Sequence, residues 1–148
     1  MIEVKSFPRK HGLQFLGSGS DRRVYALSDK YVLKVAKTKR GILQNKNECR
    51  ISQMPEATEF AKVVARSKGY KYIVMERAEP CLVPTVNSRN EKCEVYEFTE
   101  LGVVDTVPPY PAYRWWKVFN LYEVGLGMIN GREVIIDYGM TCDTPWNP

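Results

Sequence analysis

A single lysine in the middle of an apolar run constrains this chain more than any other feature. The run belongs to Leu13 to Lys37, LQFLGSGSDRRVYALSDKYVLKVAK, which reads as strand, glycine turn, strand, tight turn and strand. Leu13, Phe15 and Val24 flank Gly17 and Gly19. Those glycines lack a Cβ and so let backbone N–H groups approach a phosphate or bend sharply. Ser28-Asp29-Lys30 supplies hairpin turn chemistry, and Tyr31-Val32-Leu33-Lys34-Val35 is β-branched and aromatic. Strand alternation puts Tyr31, Leu33 and Val35 on one face and Val32, Lys34 and Ala36 on the other. Lys34 is therefore set among apolar residues, where an ammonium needs an anionic partner.

Residues 1 to 12 read as a surface extension carrying Pro8 and the basic cluster Arg9, Lys10 and His11. Beyond the third strand, Ile42 to Met54 has helical spacing at Leu43, Ile51 and Met54, with Glu48 inside it and Pro55 behind it. Residues 56 to 66 carry a second apolar run. It is either the helix resuming after Pro55 or a turn leading to a strand at Ala61 to Ala65. Tyr70 to Arg77 alternates as a strand after the Lys68-Gly69 turn, and Ala78-Glu79-Pro80 ends it. Prolines and Asn87-Ser88-Arg89-Asn90 break up residues 81 to 111, where Cys93 to Leu101 is either a strand or a short amphipathic helix. Pro111 to Leu121 reads as a helix with proline in its first turn. Asn130-Gly131 signals a hairpin joining Leu126–Ile129 to Glu133–Ile136, and Asp137-Tyr138-Gly139 closes its second strand.

A chain of 148 residues has room for one ordinary domain or two small lobes. Its 22 basic and 17 acidic residues leave a net charge of +5, which suits an acidic protein, a nucleotide or nucleic acid without choosing among them. Arg22, Arg23, Lys30, Lys37, Lys39, Arg40 and Lys46 crowd the N-terminal third, where a solvated face accounts for them. No nucleic-acid motif accompanies them, so a nucleic-acid groove ranks below a protein partner. Cys49, Cys81, Cys93 and Cys142 form no C-x-x-C pair and His11 is the single histidine, so no zinc–thiolate site is expected. Neither a signal-peptide core nor an apolar run of membrane-span length is present, which points to a cytoplasmic protein without membrane association. Trp115 and Trp116, with Tyr110, Tyr113 and Phe119, make the densest aromatic cluster. It reads as core filling or as a partner-binding patch; adjacent helical residues point about 100° apart, which sets one tryptophan at the edge of any core.

Set in order, these pieces resemble a protein-kinase-like fold, in particular the very small kinase-like proteins encoded by bacteriophages. Gly17, Gly19 and Val24 meet the pattern G-x-G-x-x-G-x-V, with Arg22 in place of the third glycine. Lys34 falls where the family's strand lysine lies, and Glu48 where the following helix carries the glutamate that pairs with it. Tyr72 to Ala78 resembles the strand and hinge joining two lobes, with Met75 at the back of the pocket. Asp137-Tyr138-Gly139 resembles a D-F-G turn. The resemblance implies an α+β fold, with an N-terminal antiparallel sheet and one helix over residues 1–78 and a much reduced C-terminal lobe over 79–148. If nucleotide binding is retained, Gly17, Gly19, Val24, Lys34, Glu48, Glu76 and Ala78 would serve it, and Asp137 would hold Mg²⁺. ATP and Mg²⁺ are cofactors only in that case. Arg22 would then contact phosphate or fill the phosphate site.

The family's catalytic loop should fall between Phe119 and Met128. Aligned on Phe119 and the hairpin, Asn120 takes the aspartate position, Tyr122 the histidine position and Gly125 that of the metal-binding asparagine. A neutral amide is no general base. Glu123 is either a displaced carboxylate or a solvated charge. The nine residues after Gly139 give no room for an activation segment. The resemblance therefore implies a catalytically inactive protein, active in the host cytoplasm, that binds and modulates a host protein as an inhibitor in host takeover. Trp115, Trp116, Arg22 and Arg23 are the candidates to face that partner. The alternatives are a minimal ATP-dependent kinase or nucleotidyl transferase using Lys34, Glu48 and Asp137, and an unrelated basic α+β adaptor.

Overall fold

A computed structural model describes residues 1–7, 9, 12–80, 98–99, 102–103 and 121–141. The three strands expected in the first third are β2 (Gln14–Ser18), β3 (Arg22–Ala26) and β4 (Tyr31–Ala36). They follow β1 (Ile2–Glu3) and precede α1 (Lys39–Ser52), β5 (Val63–Arg66) and β6 (Tyr72–Glu76). After these come β7 (Glu79–Pro80), β8 (Phe98–Thr99), β9 (Gly102–Val103), β10 (Leu121–Ile129) and β11 (Arg132–Thr141). Six strands form one sheet in the order β1-β5-β6-β4-β3-β2. The expected antiparallel sheet is extended by a parallel edge, because Ile2 and Glu3 pair alongside Ala65 and Arg66 where a surface extension was read.

Local chemistry sets the element boundaries. Ser28 Oγ accepts from Lys30 N at 3.1 Å and Tyr31 N at 3.2 Å, closing the turn between β3 and β4. The helix begins before Ile42 because Thr38 caps it, its Oγ1 accepting from Gly41 N at 3.0 Å. It ends at Ser52, ahead of Pro55, whose ring disfavours helical backbone at the residue before it. The run after Pro55 resolves as turns leading into β5, which starts two residues beyond Ala61. Ala61 N donates to Ile135 O and Ile135 N to Glu59 O, both at 2.9 Å, so this turn is stitched to β11.

The core lies between the inner face of the sheet, α1 and β11. Val32, Ile73 and Met75 from the sheet meet Cys49 and Ile51 from the helix and Val134, Ile135 and Tyr138 from β11. Phe60 and Tyr138 meet edge to face at 4.7 Å between ring centroids, and the Tyr138 hydroxyl donates to Ala61 O at 2.7 Å. On the opposite face of the sheet Leu33 and Val35 are also buried, and Phe7 of the N-terminal segment stacks on Tyr72 there. Among the described residues no helix is long and apolar enough to cross a membrane.

The final hairpin is longer than its sequence signal. Asn130 at φ 50° and Gly131 at φ 75° make the expected two-residue turn, in a backbone region that asparagine and glycine tolerate. The arms, however, run to Leu121 and Thr141, and Leu121 pairs with Thr141. Thus Leu121 is strand rather than the last residue of a helix, and Tyr122 to Gly125 are strand where a catalytic loop was expected. Likewise Asp137-Tyr138-Gly139 lies within β11 and does not end it. The physical cause is cross-strand pairing: once the turn is set, ladder bonds propagate, and three register shifts between Leu121 and Leu126 absorb the irregular stretch. Strand β10 also pairs with β7, Gly127 against Pro80 and Met128 against Glu79. The Phe98–Thr99 pair of residues is strand, as one of the two readings had it, hydrogen-bonded to β9. The remainder of residues 81–120, including Trp115, Trp116, Asn120 and the rest of the expected helix from Pro111, lies outside the described residues.

Gly139 permits the close approach of β11 to the helix. A Cβ there would sit 2.6 Å from Gln44 O and 2.8 Å from Gln44 Cβ, too close for either backbone to yield cheaply. Gly139→Ala should therefore cost about 1–3 kcal/mol, the range for overpacking. It would be read as a lower urea midpoint at unchanged slope. Gly69→Ala, whose Cβ would meet open space, is the control and should leave the midpoint in place.

Candidate functional site

Strand β4 is central in the sheet, so Lys34 has β3 on one side and β6 on the other, opposite Val24 and Ile73. It is 6% exposed. Its Nζ donates to both oxygens of Glu48 at 3.1 Å and to Ile136 O at 2.7 Å. The partner expected from sequence is thus in contact, fully buried on the inward face of α1.

Arg22 is a second cation on the same carboxylate. Its Nη2 donates to Glu48 Oε1 at 2.9 Å, its Nη1 lies 2.9 Å from Glu48 Oε2, and Nη2 also reaches Asp137 Oδ1 at 2.6 Å. Asn45, one helical turn before Glu48, accepts from Nη1 at 3.1 Å. Asn45 is itself fixed by donating to Tyr70 O at 2.8 Å. Tyr138 N donates to Glu48 Oε1 at 3.2 Å. Two cations and two carboxylates therefore share one site and cancel in charge. The glycine pattern places Arg22 in a loop, but Arg22 opens β3, and its side chain turns inward because it alternates with Val24 on the face that carries Lys34. Arg23 is exposed, on the other face.

Burial and partners oppose each other at each group. For Lys34, burial lowers the pKa, Glu48 pulls it back, Arg22 pushes it down again, and the net direction is down. For Asp137, desolvation raises the pKa, but Arg22 and Lys34 overcome this and hold it below the usual carboxylate range. Arg22 stays charged: burial works against the guanidinium, and Glu48 and Asp137 outweigh it and raise its pKa. Burial, with Glu48 beside it, pushes the Cys49 thiol up to about 12, so it offers no thiolate.

Arg22, Lys34 and Asp137 line a cleft of about 620 Å³. Leu16, Val24, Val32, Met75, Ala78 and Ile136 supply apolar wall; Gly17, Gly19, Glu76 and Asp137 line it too. Of the residues expected to serve a nucleotide, Glu48 alone is absent from the lining, standing behind Lys34 and Arg22. The turn between β2 and β3 is fastened down. Gly19 N donates to Arg22 O at 2.9 Å, and Lys37 Nζ donates to Gly19 O at 2.6 Å. The Asp21 carboxylate accepts from Thr38 Oγ1 at 2.8 Å, Ser20 Oγ at 3.0 Å and Gln44 Nε2 at 3.2 Å. Partial burial raises the Asp21 pKa, and those hydrogen bonds together with Arg40 bring it below the usual value.

Sequence reasoning missed Asp21, Asn45 and the role of Arg22. Signals existed: the Asn45 to Glu48 spacing puts both on one helix face, and Arg22 shares strand alternation with Val24. Among the described residues no group of three or more His, Cys, Asp or Glu side chains could hold a metal ion. No protein-family model matches the chain, and no curated protein matches it.

Glu48→Ala would leave Arg22 and Lys34 buried without their shared counter-ion and should cost about 3–5 kcal/mol in urea denaturation. Asp137→Asn, at a side chain 57% exposed, should cost less than about 1 kcal/mol. The pH dependence has a fixed sign. Asp137 and Asp21 have folded pKa values below the unfolded value of about 3.9, so their contribution is present above that pH and is lost as pH falls through the folded values. The urea midpoint should accordingly fall below about pH 4, and Asp137→Asn should make that fall shallower.

Proposed function

We propose that this chain is a small kinase-like protein, of the kind bacteriophages encode, that binds and modulates a host protein and does not transfer phosphoryl groups. The observation that carries the proposal is the position of Arg22, which occupies Glu48 and Asp137 together. Phosphoryl transfer in kinases needs a lysine–glutamate pair and, separately, an aspartate free to bind metal. Lys34 and Glu48 supply the pair, but the aspartate is held by an arginine. The stretch aligned with the catalytic loop offers further support, since Tyr122 to Gly125 belong to β10, with Gly125 paired against Asp137 in the ladder. A scaffold kept in order by a neutral charge cluster suits a protein that works through its surface. The excess of basic residues favours an acidic partner.

A second reading, a minimal nucleotide-dependent transferase, draws on the cleft itself. Its volume falls within the roughly 300–1,000 Å³ typical of small-ligand sites, and its apolar walls converge on Lys34. Incubation with Mg²⁺ and radiolabelled ATP in host extract separates the two. The expected result is no label that disappears with Lys34→Ala, together with stoichiometric retention of a host protein on the immobilised chain. Reproducible Lys34-dependent label would replace the first reading with the second.

A further inference from the structure

The kinase-like reading brings with it a divalent cation at Asp137, and the residues present do not fit one. Mg²⁺ takes oxygen ligands at about 2.0–2.1 Å in near-ideal octahedral geometry. Asp137 Oδ1 already receives Arg22 Nη2 at 2.6 Å, so an ion at bonding distance from that oxygen would press against a guanidinium of like charge. Nor is Arg22 free to swing away. Asn45 and both oxygens of Glu48 hold the same guanidinium, and Asn45 is anchored in turn to Tyr70 O. Glu48 is no substitute ligand, because it is wholly buried and already meets Lys34 and Tyr138 N.

We infer that the Arg22 guanidinium stands where a kinase-like cleft would hold its divalent cation, so that the protein takes no Mg²⁺ or Mn²⁺ at Asp137. The inference rests on the kinase-like reading for the place at which a metal would be sought; the ion pairs themselves stand without it. The charges support it. Arg22 and Lys34 balance Glu48 and Asp137, so the cluster has no deficit for a cation to fill. Taking away the arginine's charge leaves one negative charge in excess at a carboxylate whose side chain is 57% exposed to the cleft. That is the condition under which a hard cation would enter.

Mn²⁺ alone is the probe, titrated into the full chain with bound ion counted by electron paramagnetic resonance. Wild-type protein should show no binding that Asp137→Asn removes. Arg22→Gln, which keeps much of the side chain and loses the charge, should gain one Mn²⁺ site, and Asp137→Asn in that background should abolish it. Asp137-dependent binding in the wild type overturns the inference, as does a folded Arg22→Gln chain that gains no site. Circular dichroism establishes whether the variant is folded; if it is not, the comparison of wild type with Asp137→Asn decides alone. Loss of the partner-binding reading, through Lys34-dependent label in extract, is a separate result that these titrations neither produce nor conceal.

Discussion

The structure depends on one buried carboxylate. Glu48 is fully buried on the inner face of α1, and an isolated carboxylate in that position would be expensive enough to unseat the helix. It is tolerated because three elements each bring a donor to it. Strand β4 brings Lys34, β3 brings Arg22, β11 brings the Tyr138 N–H, and the helix presents the acceptor. A one-residue slip in either strand would turn its cation to the other face and leave Glu48 short of a partner. The carboxylate thereby ties together sheet register, helix rotation and the seat of the last hairpin. A polar cluster of this kind is weak as a source of net stability and strong as a selector of one arrangement over its neighbours.

Much of that arrangement is written locally. The turn chemistry around Ser28, the alternation through Lys34 and the Asn130-Gly131 pair each act over a few residues, so the three first strands and the hairpin could be read from the chain. Glu48 was reached by the order of elements rather than by its own surroundings. Arg22 was misplaced because a glycine pattern assigned it to a loop, whereas its alternation with Val24 is what governs its direction. The extent of β10 was not legible for a different reason: Leu121 to Val124 have no decisive preference, and their strand form is settled by pairing with β11. Ile2 and Glu3 present the same case at the other edge, since a two-residue strand exists only by virtue of β5.

The cleft combines features that would ordinarily belong to different tasks. Its apolar wall and its lysine are those of a ligand site, but the glycine turn that lines it is bound to Thr38 and Gln44 through Asp21 and to Lys37 just ahead of the helix, and Arg22, Lys34 and Asp137 in its lining are engaged in ion pairs. The Asp21 contacts join the glycine turn to the start of α1. The helix, in turn, holds Glu48.

The sequence distances spanned by the cluster bear on how the chain comes to be folded. Arg22 and Asp137 are 115 residues apart, Lys34 and Ile136 are 102 apart, and Glu48 and Tyr138 are 90 apart. During synthesis, β2 to β6 and α1 emerge long before β11 exists to cover them. The partly made chain must then hold an apolar sheet face and an incompletely matched set of charges open to water until its closing strand arrives. Non-local closure of this kind slows folding and prolongs exposure of sticky surface. The apolar face that β11 finally covers is accordingly the one that the unfinished chain leaves open.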